Sequence, residues 1–412
     1  MFKIVRAPSS VNDFFSSLTS EFHWDHADYF RDEVLAMALS EGRHTISNLV
    51  RHLDAEHHRS RYNNFLNVAR WEPEKLLHTA ALGLLETVAP PRDKTLFLIL
   101  DDSVIPKRGR KMEAVGWLHD STGGGKVRGH DLIFSVLRAG EVTIPWGFRP
   151  YVKKQDTRKL GVPFRKVTEL AAELIRTFEV PDGWNVVVLF DTFYLCQRVV
   201  NACRGKGFAW VSCLKSNRIL HRGGRKLKAG KYVKHALSGK SHLPRRTVHH
   251  RQTTYETADA GWLDLNHIGY VHLVCSRRKG ESRRLGLVTE SKEMSVSAMV
   301  RGYAERWWIE QFFKDAKQRL GLGQYQNGSM RAHVNHTYLV CFAHALLTHL
   351  GRKAHGEKGK MGNRAARETS LSIGSMQNHL RRRTFLATIA DVERRCSSGD
   401  SFVKELKRLL VA

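Results

Sequence analysis

Residues Tyr303 to Lys317 read YAERWWIEQFFKDAK. Because an α-helix has about 3.6 residues per turn, four polar side chains of this segment project into one arc of roughly 60°: Tyr303, Arg306, Glu310 and Lys317. Aromatic and aliphatic residues surround that arc, so we expect the helix to be packed against the rest of the chain. A tyrosine, one carboxylate and two cations on a packed face are suited to holding a metal ion against a phosphodiester.

A plainer interpretation of this helix face stays open. Arg306 and Glu310 have the spacing of an ion pair on an exposed helix, and Lys317 would then be a solvated lysine. Charge spacing on one helix does not separate these interpretations. The position of further carboxylates in the chain therefore matters.

Two short apolar runs stop at aspartates. TLFLIL (95–100) is followed by Asp101 and Asp102, and NVVVLF (185–190) is followed by Asp191. Such runs are typical of buried strands in a sheet covered on its faces, and carboxylates beyond them lie where ligands of open α/β folds bind. Each aspartate can instead form a turn or cap a helix, and for Asp191 alone the two interpretations are equally good.

The spacing of Tyr, Arg, Glu and Lys in the helix resembles the signature of bacterial insertion-sequence transposases with an Asp-Asp-Glu triad. The resemblance implies an α/β fold: a ribonuclease-H-like mixed sheet with a β-rich insertion, plus an N-terminal helical domain. It also implies that Asp101, Asp191 and Glu310 are the catalytic, metal-binding triad. In that family a Ser or Thr follows the first aspartate after one residue, which favours Asp101, with Ser103, over Asp102. Asp102 remains the alternative.

The resemblance implies a DNA transposase that cuts at the ends of an insertion element and joins the 3′ hydroxyl to target DNA. Two Mg²⁺ ions, with Mn²⁺ as a substitute, would activate the attacking oxygen and stabilise the leaving oxygen. The expected partners are double-stranded DNA, as terminal inverted repeats and as target, and a second copy of the chain in a synaptic homodimer. A metal-dependent nuclease of the same fold and a non-catalytic DNA-binding descendant are the alternatives.

Cations near the triad are the candidate DNA contacts. Arg306 and Lys317 would bind flanking phosphates, and Tyr303 would either donate a hydrogen bond to phosphate or only pack. A glycine-rich basic loop follows the first aspartates, and the stretch from Ser216 to Thr254 has eleven Lys or Arg and no acidic residue. We predict these further DNA-binding residues there: Lys107, Lys126, Arg128, Arg222, Arg225 and Lys226.

The composition agrees with a polyanionic partner. The chain has 67 Lys plus Arg against 40 Asp plus Glu, a net charge of +27 and a pI near 10.1. Such an excess favours binding to nucleic acid through release of counterions. No apolar run is long enough to span a membrane and no signal peptide opens the chain, so we expect a cytoplasmic bacterial protein that associates with the nucleoid. The segment Gly123 to Lys126 lacks the phosphate-binding loop pattern, so no nucleotide cofactor is expected.

The pattern of elements predicts five regions. Residues 1–90 read as helices, with a helix-turn-helix or a simple helical cap as alternatives, and Pro90-Pro91 marks the boundary. Residues 91–215 and 286–350 would form the catalytic domain, the latter with the Glu310 helix. Residues 216–285 would be the basic, β-rich insertion, because 119 positions between Asp191 and Glu310 exceed one strand-helix connection. Residues 351–412 would be a basic tail, comprising a mobile linker and a docking or DNA-contacting helix.

Overall fold

The structure is a computed structural model of the chain. It describes all residues except 1–2, 6, 20–21, 23–25, 55–56, 90–92, 110, 121–123, 361–371, 397–398 and 411–412. The predicted boundary at Pro90-Pro91 and part of the predicted C-terminal linker therefore lie outside the described residues. Among the described helices, none is long and apolar enough to cross a membrane.

The first part of the chain is helical, as its apolar spacing predicts. Proline at the first position of the fifth helix needs no hydrogen-bond partner there, which favours the start of that helix. The N-terminal helices are α1 (Ser9–Thr19), α2 (His26–Leu39), α3 (Ile46–Arg51), α4 (Arg59–Asn67) and α5 (Pro73–Glu86).

Six strands and three helices form the central α/β unit. Its elements are β1 (Thr95–Pro106), β2 (Gly116–Asp120), β3 (Gly125–Ala139), β4 (Val142–Tyr151), α6 (Lys154–Leu160), α7 (Val167–Arg176), β5 (Asn185–Phe190), α8 (Gln197–Lys206) and β6 (Ala209–Cys213). The strands lie in the order β4-β3-β1-β5-β6, with β1, β5 and β6 parallel and β3 antiparallel to both its neighbours. This is the ribonuclease-H-like mixed sheet predicted above, and the predicted fold class is confirmed.

The predicted insertion is β-rich and continues the same sheet. It contains β7 (Ile219–Arg222), β8 (Arg225–Lys228), α9 (Ala229–Ala236), β9 (Arg245–His250), β10 (Thr253–Leu265), β11 (Gly269–Arg278) and β12 (Arg284–Thr289). Strand β12 pairs with β6 through Leu287↔Cys213 and Val288↔Ser212, and β11, β10, β7 and β8 follow outward from it. All twelve described strands thus belong to one sheet.

Strand β1 is longer than the sequence predicts. Asp101 and Asp102 lie within it rather than beyond its end, so that part of the prediction is wrong. The reason is the long antiparallel partner β3, which stays paired with β1 as far as Pro106↔Gly129. A side chain at Gly129 would come 2.2 Å from the Ile105 carbonyl oxygen, so glycine permits this close approach.

The motif segment forms two helices rather than one. These are α10 (Val296–Glu305) and α11 (Trp307–Arg319), and Arg306 lies at the junction. The amide of Ile309 donates to the Arg306 carbonyl at 3.2 Å, which tightens the chain locally to three-residue spacing. Tyr303 therefore lies on one helix, and Glu310 and Lys317 lie on the next.

Helices from both ends of the chain pack together. The remaining helices are α12 (Met330–Lys360), α13 (Ile373–Arg395) and α14 (Gly399–Arg408), and α12 contacts α1, α2, α4, α5 and β4. Gln377 of α13 donates to the Ala38 carbonyl of α2 at 2.9 Å. The N-terminal helices therefore share their core with α12, and the described part of the tail is docked on them.

Candidate active site

The alternation of side chains along β1 separates Asp101 from Asp102. Asp101 is the cross-strand partner of Phe134, and Phe134 packs against Phe312 of α11 with ring centroids 5.5 Å apart. Directly opposed residues of an antiparallel pair share a face, so Asp101 faces α11 and Asp102 faces the other side. The Tyr194 hydroxyl donates to Asp102 Oδ1 at 2.8 Å.

Asp191 follows β5 directly, at the same height along the sheet as Asp101 on the neighbouring strand β1. Strands β1 and β5 are parallel with Ile99 opposite Leu189, and two residues further along each strand lie Asp101 and Asp191. Asp191 Oδ1 accepts hydrogen bonds from the Phe193 amide at 2.8 Å and the Tyr194 amide at 3.3 Å. Asp191 is therefore a turn former as well as a carboxylate beside Asp101, which unites the two interpretations of the sequence.

Arg306 joins the third carboxylate to the first. Its guanidinium donates to Asp101 Oδ2 at 2.7 Å and to Glu310 Oε1, so the ion pair predicted from the i,i+4 spacing is present. Burial lowers the pKa of Arg306, yet neighbouring groups raise it overall, and these include the carboxylates of Asp101, Glu310 and Asp191. Asp101 and Glu310 therefore share one guanidinium, and Asp191 acts on its charge.

Both carboxylates on β1 have a raised pKa. Burial raises the pKa of Asp101 to about 7; the Arg306 cation opposes that rise, whereas the charges of Asp102 and Asp191 add to it. Burial also raises the pKa of Asp102, against the hydrogen bond from Tyr194. Buried carboxylates that repel one another hold their charge only with added positive charge nearby.

The donor chemistry fits a divalent cation, but the described arrangement is closed around Arg306. Among the described residues, no three His, Cys, Asp or Glu side chains lie close enough together to hold a metal ion. The guanidinium of Arg306 lies between Asp101 and Glu310 and pairs with both carboxylates. Hard oxygen donors with excess negative charge are what Mg²⁺ prefers, so the residue types fit a divalent metal ion, whereas the space between these two carboxylates is taken by the guanidinium.

Two side chains predicted to contact DNA lie close to this cluster. Tyr303 is half-buried, packs against the core beside the Cys213 thiol, and has a pKa that burial raises well above the usual range. This contact agrees with the packing alternative for Tyr303. Lys317 is exposed near the end of α11, and its ammonium donates to the Val104 carbonyl at 3.4 Å.

Lys107 does not lie where the sequence predicted. It is buried, and its ammonium donates to the carbonyls of Gly323 at 2.5 Å and Tyr325 at 2.9 Å. It also lies 3.3 Å from the centre of the Tyr325 ring, and burial lowers its pKa to about 7. The prediction that Lys107 approaches DNA phosphates is therefore corrected: it ties the end of β1 to the segment after α11.

The other predicted DNA contacts lie on the surface. Lys126 is exposed at the start of β3, and Arg128, two residues on, donates to the Gly109 carbonyl at 2.9 Å. The insertion residues Arg222, Arg225 and Lys226 are exposed around the tight β7–β8 turn, whose two central glycines have positive φ. Within the described part of the chain, neither group contacts the carboxylate cluster.

Sequence reasoning missed two residues behind the cluster. Asp131 of β3 is 8% exposed, one of its oxygens is buried with no hydrogen-bond partner among the described residues, and burial raises its pKa to about 7. Tyr194, whose hydroxyl binds Asp102, was not predicted either. Pairing the predicted strands of Asp102 and Asp131 as antiparallel neighbours would have placed both on one face, but that register was not assigned from the sequence.

Sheet order and carboxylate placement together define a ribonuclease-H-like nuclease fold. The family model of the DDE superfamily endonucleases matches residues 13–267, well over half of the chain, and the chain belongs to that family. Endonucleases of this superfamily generally depend on divalent metal ions. The matched span contains Asp101 and Asp191, whereas Glu310 lies beyond it.

The comparison with solved structures gives a weak similarity. The chain is similar to a Drosophila P element transposase strand transfer complex, with a TM-score of 0.20 and 12% identity over 57% of this chain. The match covers 51% of that chain, so this protein spans about half of its length. A TM-score at that level carries no structural argument. No curated protein matches the chain.

Proposed function

We propose that this endonuclease-family protein is a bacterial transposase that cleaves DNA at the ends of an insertion element and transfers the 3′ hydroxyl to target DNA. Asp101, Asp191 and Glu310 are its catalytic residues. The observation that supports this most is that Asp101 of β1 and Glu310 of α11 both pair with the guanidinium of Arg306, while Asp191 follows the neighbouring parallel strand β5 level with Asp101. Asp102 is less favourable as the first carboxylate because it faces Tyr194 on the other side of β1.

Each residue near the cluster has a role that follows from its position. Asp101, Asp191 and Glu310 would hold two Mg²⁺ ions, which would activate the attacking oxygen and stabilise the leaving oxygen at phosphorus. Arg306, once it leaves Asp101, presents a planar pair of donors to a phosphate next to the scissile bond. The exposed ammonium of Lys317 adds a point charge to the DNA side of α11. Tyr303 packs against the core rather than binding phosphate.

The partners follow from the proposed reaction. The protein acts on double-stranded DNA in the bacterial cytoplasm, as terminal inverted repeats and as target, and as a homodimer that brings two ends together. The catalytic domain comprises 91–215 and 286–350, with 216–285 as an insertion. The exposed cations of the β7–β8 turn and of the start of β3 extend the DNA-binding surface. The helical region 1–90 and the tail 351–412 support the catalytic domain.

Cleavage of end-containing DNA tests the triad. Purified protein is incubated with MgCl₂ and a labelled duplex that carries a terminal inverted repeat found beside the gene, and products are resolved on denaturing gels. Asp191→Asn and Glu310→Gln are expected to abolish cleavage, since each removes a charged oxygen ligand while keeping side-chain size. Asp264→Asn changes an exposed carboxylate of the insertion and serves as the matched control. Cleavage by both triad variants at the wild-type rate would remove the assignment.

A nuclease without strand transfer is the second candidate, because the matching family is defined as endonucleases. The same reaction distinguishes the two functions. A transposase joins the labelled 3′ end to an added plasmid, and a nuclease yields only cut ends. Inactivity of the wild-type protein on every end tested, together with retained DNA binding, would favour the non-catalytic descendant.

A further inference from the structure

A basic groove lies on the face of the sheet opposite α11. Its walls are α7, α8 and the beginning of the insertion. Two neighbouring residues of β4 show which face this is, because their side chains point to opposite sides of the sheet. Arg149, the partner of Ile133, reaches Glu173 of α7 at 2.7 Å, whereas Phe148 packs towards α12. The cavity volume is about 1090 Å³. That volume exceeds the usual range for a small-molecule site and suits an extended ligand.

The lining of the groove carries one sign of charge. Aspartate and glutamate are absent from its described lining, and its basic residues are Lys166, Arg176, Arg198, Lys206, Arg218 and His267. Arg198 has an ion pair with Glu169 at 3.0 Å. A concave surface with this excess of positive charge concentrates a polyanion.

Arg218 gives a second indication that the groove suits an anion. Its Nη2 donates to the Asn266 carbonyl at 3.2 Å, but its Nε is buried and has no acceptor among the described residues. Burial also lowers the pKa of Arg218. A buried guanidinium nitrogen without an acceptor is unfavourable, and a phosphate oxygen would satisfy it.

The groove begins a short distance from the carboxylate cluster. Cys196 and Gln197, at the start of α8, line it and follow Asp191 by five and six residues. Five residues of extended chain span at most about 18 Å. At about 3.4 Å per nucleotide of one strand, that distance corresponds to roughly five nucleotides. DNA with a phosphodiester at Asp191 can therefore enter the groove within about five nucleotides.

We propose that this groove binds the phosphate backbone of the DNA segment that flanks the cleaved phosphodiester. The inference rests on the proposed function and adds the path of the bound DNA. Phosphates would satisfy the unpaired Nε of Arg218 and neutralise Lys166 and Arg176, which lie at opposite ends of α7. Because the contacts are to the backbone, they position the DNA without reading its sequence.

Binding measured without cleavage tests the groove independently of catalysis. In EDTA, fluorescence anisotropy gives the affinity of a 30-bp end-containing duplex as a function of NaCl for wild type and for Lys166→Gln/Arg176→Gln/Arg218→Gln. Each lost phosphate contact lowers the slope of log affinity against log salt by about 0.9, so we expect a slope lower by about 2 to 3. The control Arg383→Gln/Lys404→Gln/Lys407→Gln removes three exposed cations of α13 and α14 and the same charge. Equal effects of the two variants, or none for the groove variant, would overturn the proposal.

Neutral phosphates locate the contact on the DNA. Methylphosphonates are placed at the five phosphates on either side of the cleavage position, one side at a time. On the flank that enters the groove they are expected to weaken wild-type binding about tenfold or more and to change binding by the groove variant less than about twofold. Equal losses for both proteins on both flanks would overturn the proposed path. Neither measurement needs cleavage. A protein whose triad does not cleave DNA would therefore contradict the proposed function, but the binding results would still test the groove. A circular dichroism melt checks that each variant is folded.

Discussion

Asp101 and Asp102 are neighbours in β1, yet they lie in different environments on its two faces. Asp101 contacts Arg306 at 2.7 Å and through it Glu310, whereas Asp102 accepts a hydrogen bond from the neutral hydroxyl of Tyr194 at 2.8 Å. Both carboxylates have a raised pKa, and burial is the largest cause for each. A shifted pKa therefore does not distinguish the two; the face of the strand does.

The largest expected difference is in DNA cleavage. Asp101→Asn is expected to lower the rate more than about 1,000-fold, because losing a metal ligand costs several kcal/mol of transition-state stabilisation. Asp102→Asn is expected to lower the rate less than about tenfold, since its neutral amide can still accept from Tyr194. Single-turnover cleavage of an end-containing duplex with Mg²⁺ measures both. The reverse order of effects would make Asp102 the first carboxylate of the triad.

Replacing Arg306 tests whether its guanidinium keeps metal ions away from Asp101. Arg306→Gln is expected to raise Mn²⁺ affinity of the DNA-free protein at least about tenfold, because a unit cation a few ångströms away opposes metal binding. The same variant is expected to cleave about 100-fold more slowly, through loss of a phosphate donor. Calorimetry measures the first effect and gel assays the second. Lys317→Gln, a control on α11, should change Mn²⁺ affinity less; equal changes would show a general charge effect.

The pKa of Asp101 predicts a pH dependence of stability. Its pKa in the folded protein, about 7, lies above the usual value of 3.8, so the stabilisation it contributes is full below about pH 4 and is lost as pH rises towards 7. In metal-free buffer at pH 8, Asp101→Asn should therefore melt a few degrees above wild type, and the difference should vanish near pH 4. Thermal melts of both proteins over this range measure the effect. A pH-independent difference would show that the carboxylate ionises normally.

The smallest effect on cleavage is expected from Tyr194, which lies on the Asp102 face of β1. Tyr194→Phe removes the hydroxyl that binds Asp102 and is expected to lower the free energy of unfolding by about 1 kcal/mol, with cleavage within about threefold of wild type. Urea denaturation and the cleavage assay measure the two quantities. Tyr62→Phe, which removes the hydroxyl that donates to Asp32 at 2.7 Å in the N-terminal helices, is a matched control for stability. A large loss of cleavage in Tyr194→Phe alone would bring Asp102 into the catalytic site.

Local patterns in the sequence predicted much of the fold. The apolar runs before Asp101 and Asp191 became the parallel strands β1 and β5, and the β-rich stretch between residues 216 and 285 became strands of the same sheet. These features depend on nearby residues, so periodicity is enough to find them. The assignment of Asp101, Asp191 and Glu310 as catalytic remains a prediction that cleavage assays must test.

Pairing between distant segments was not predictable in the same way. The extension of β1 through Asp101 depends on its register with β3, and the burial of Lys107 depends on the carbonyls of Gly323 and Tyr325. A basic residue in a glycine-rich loop has no local signal that tells burial from exposure. The break between α10 and α11 at Arg306 was not predictable for the same reason. It accompanies an ion pair with Asp101 of β1, 205 residues earlier in the chain.

The hydrogen bonds between β12 and β6 have a consequence for protein engineering. Because the insertion is joined to the nuclease core by a strand ladder, it is not a detachable module on a flexible tether. Excision of the insertion together with β12 (Arg284–Thr289) would uncover the backbone amides and carbonyls of β6, and exposed sheet margins of that kind recruit other chains into aggregates. A soluble minimal nuclease would need a replacement strand, or charged residues and proline, along that margin.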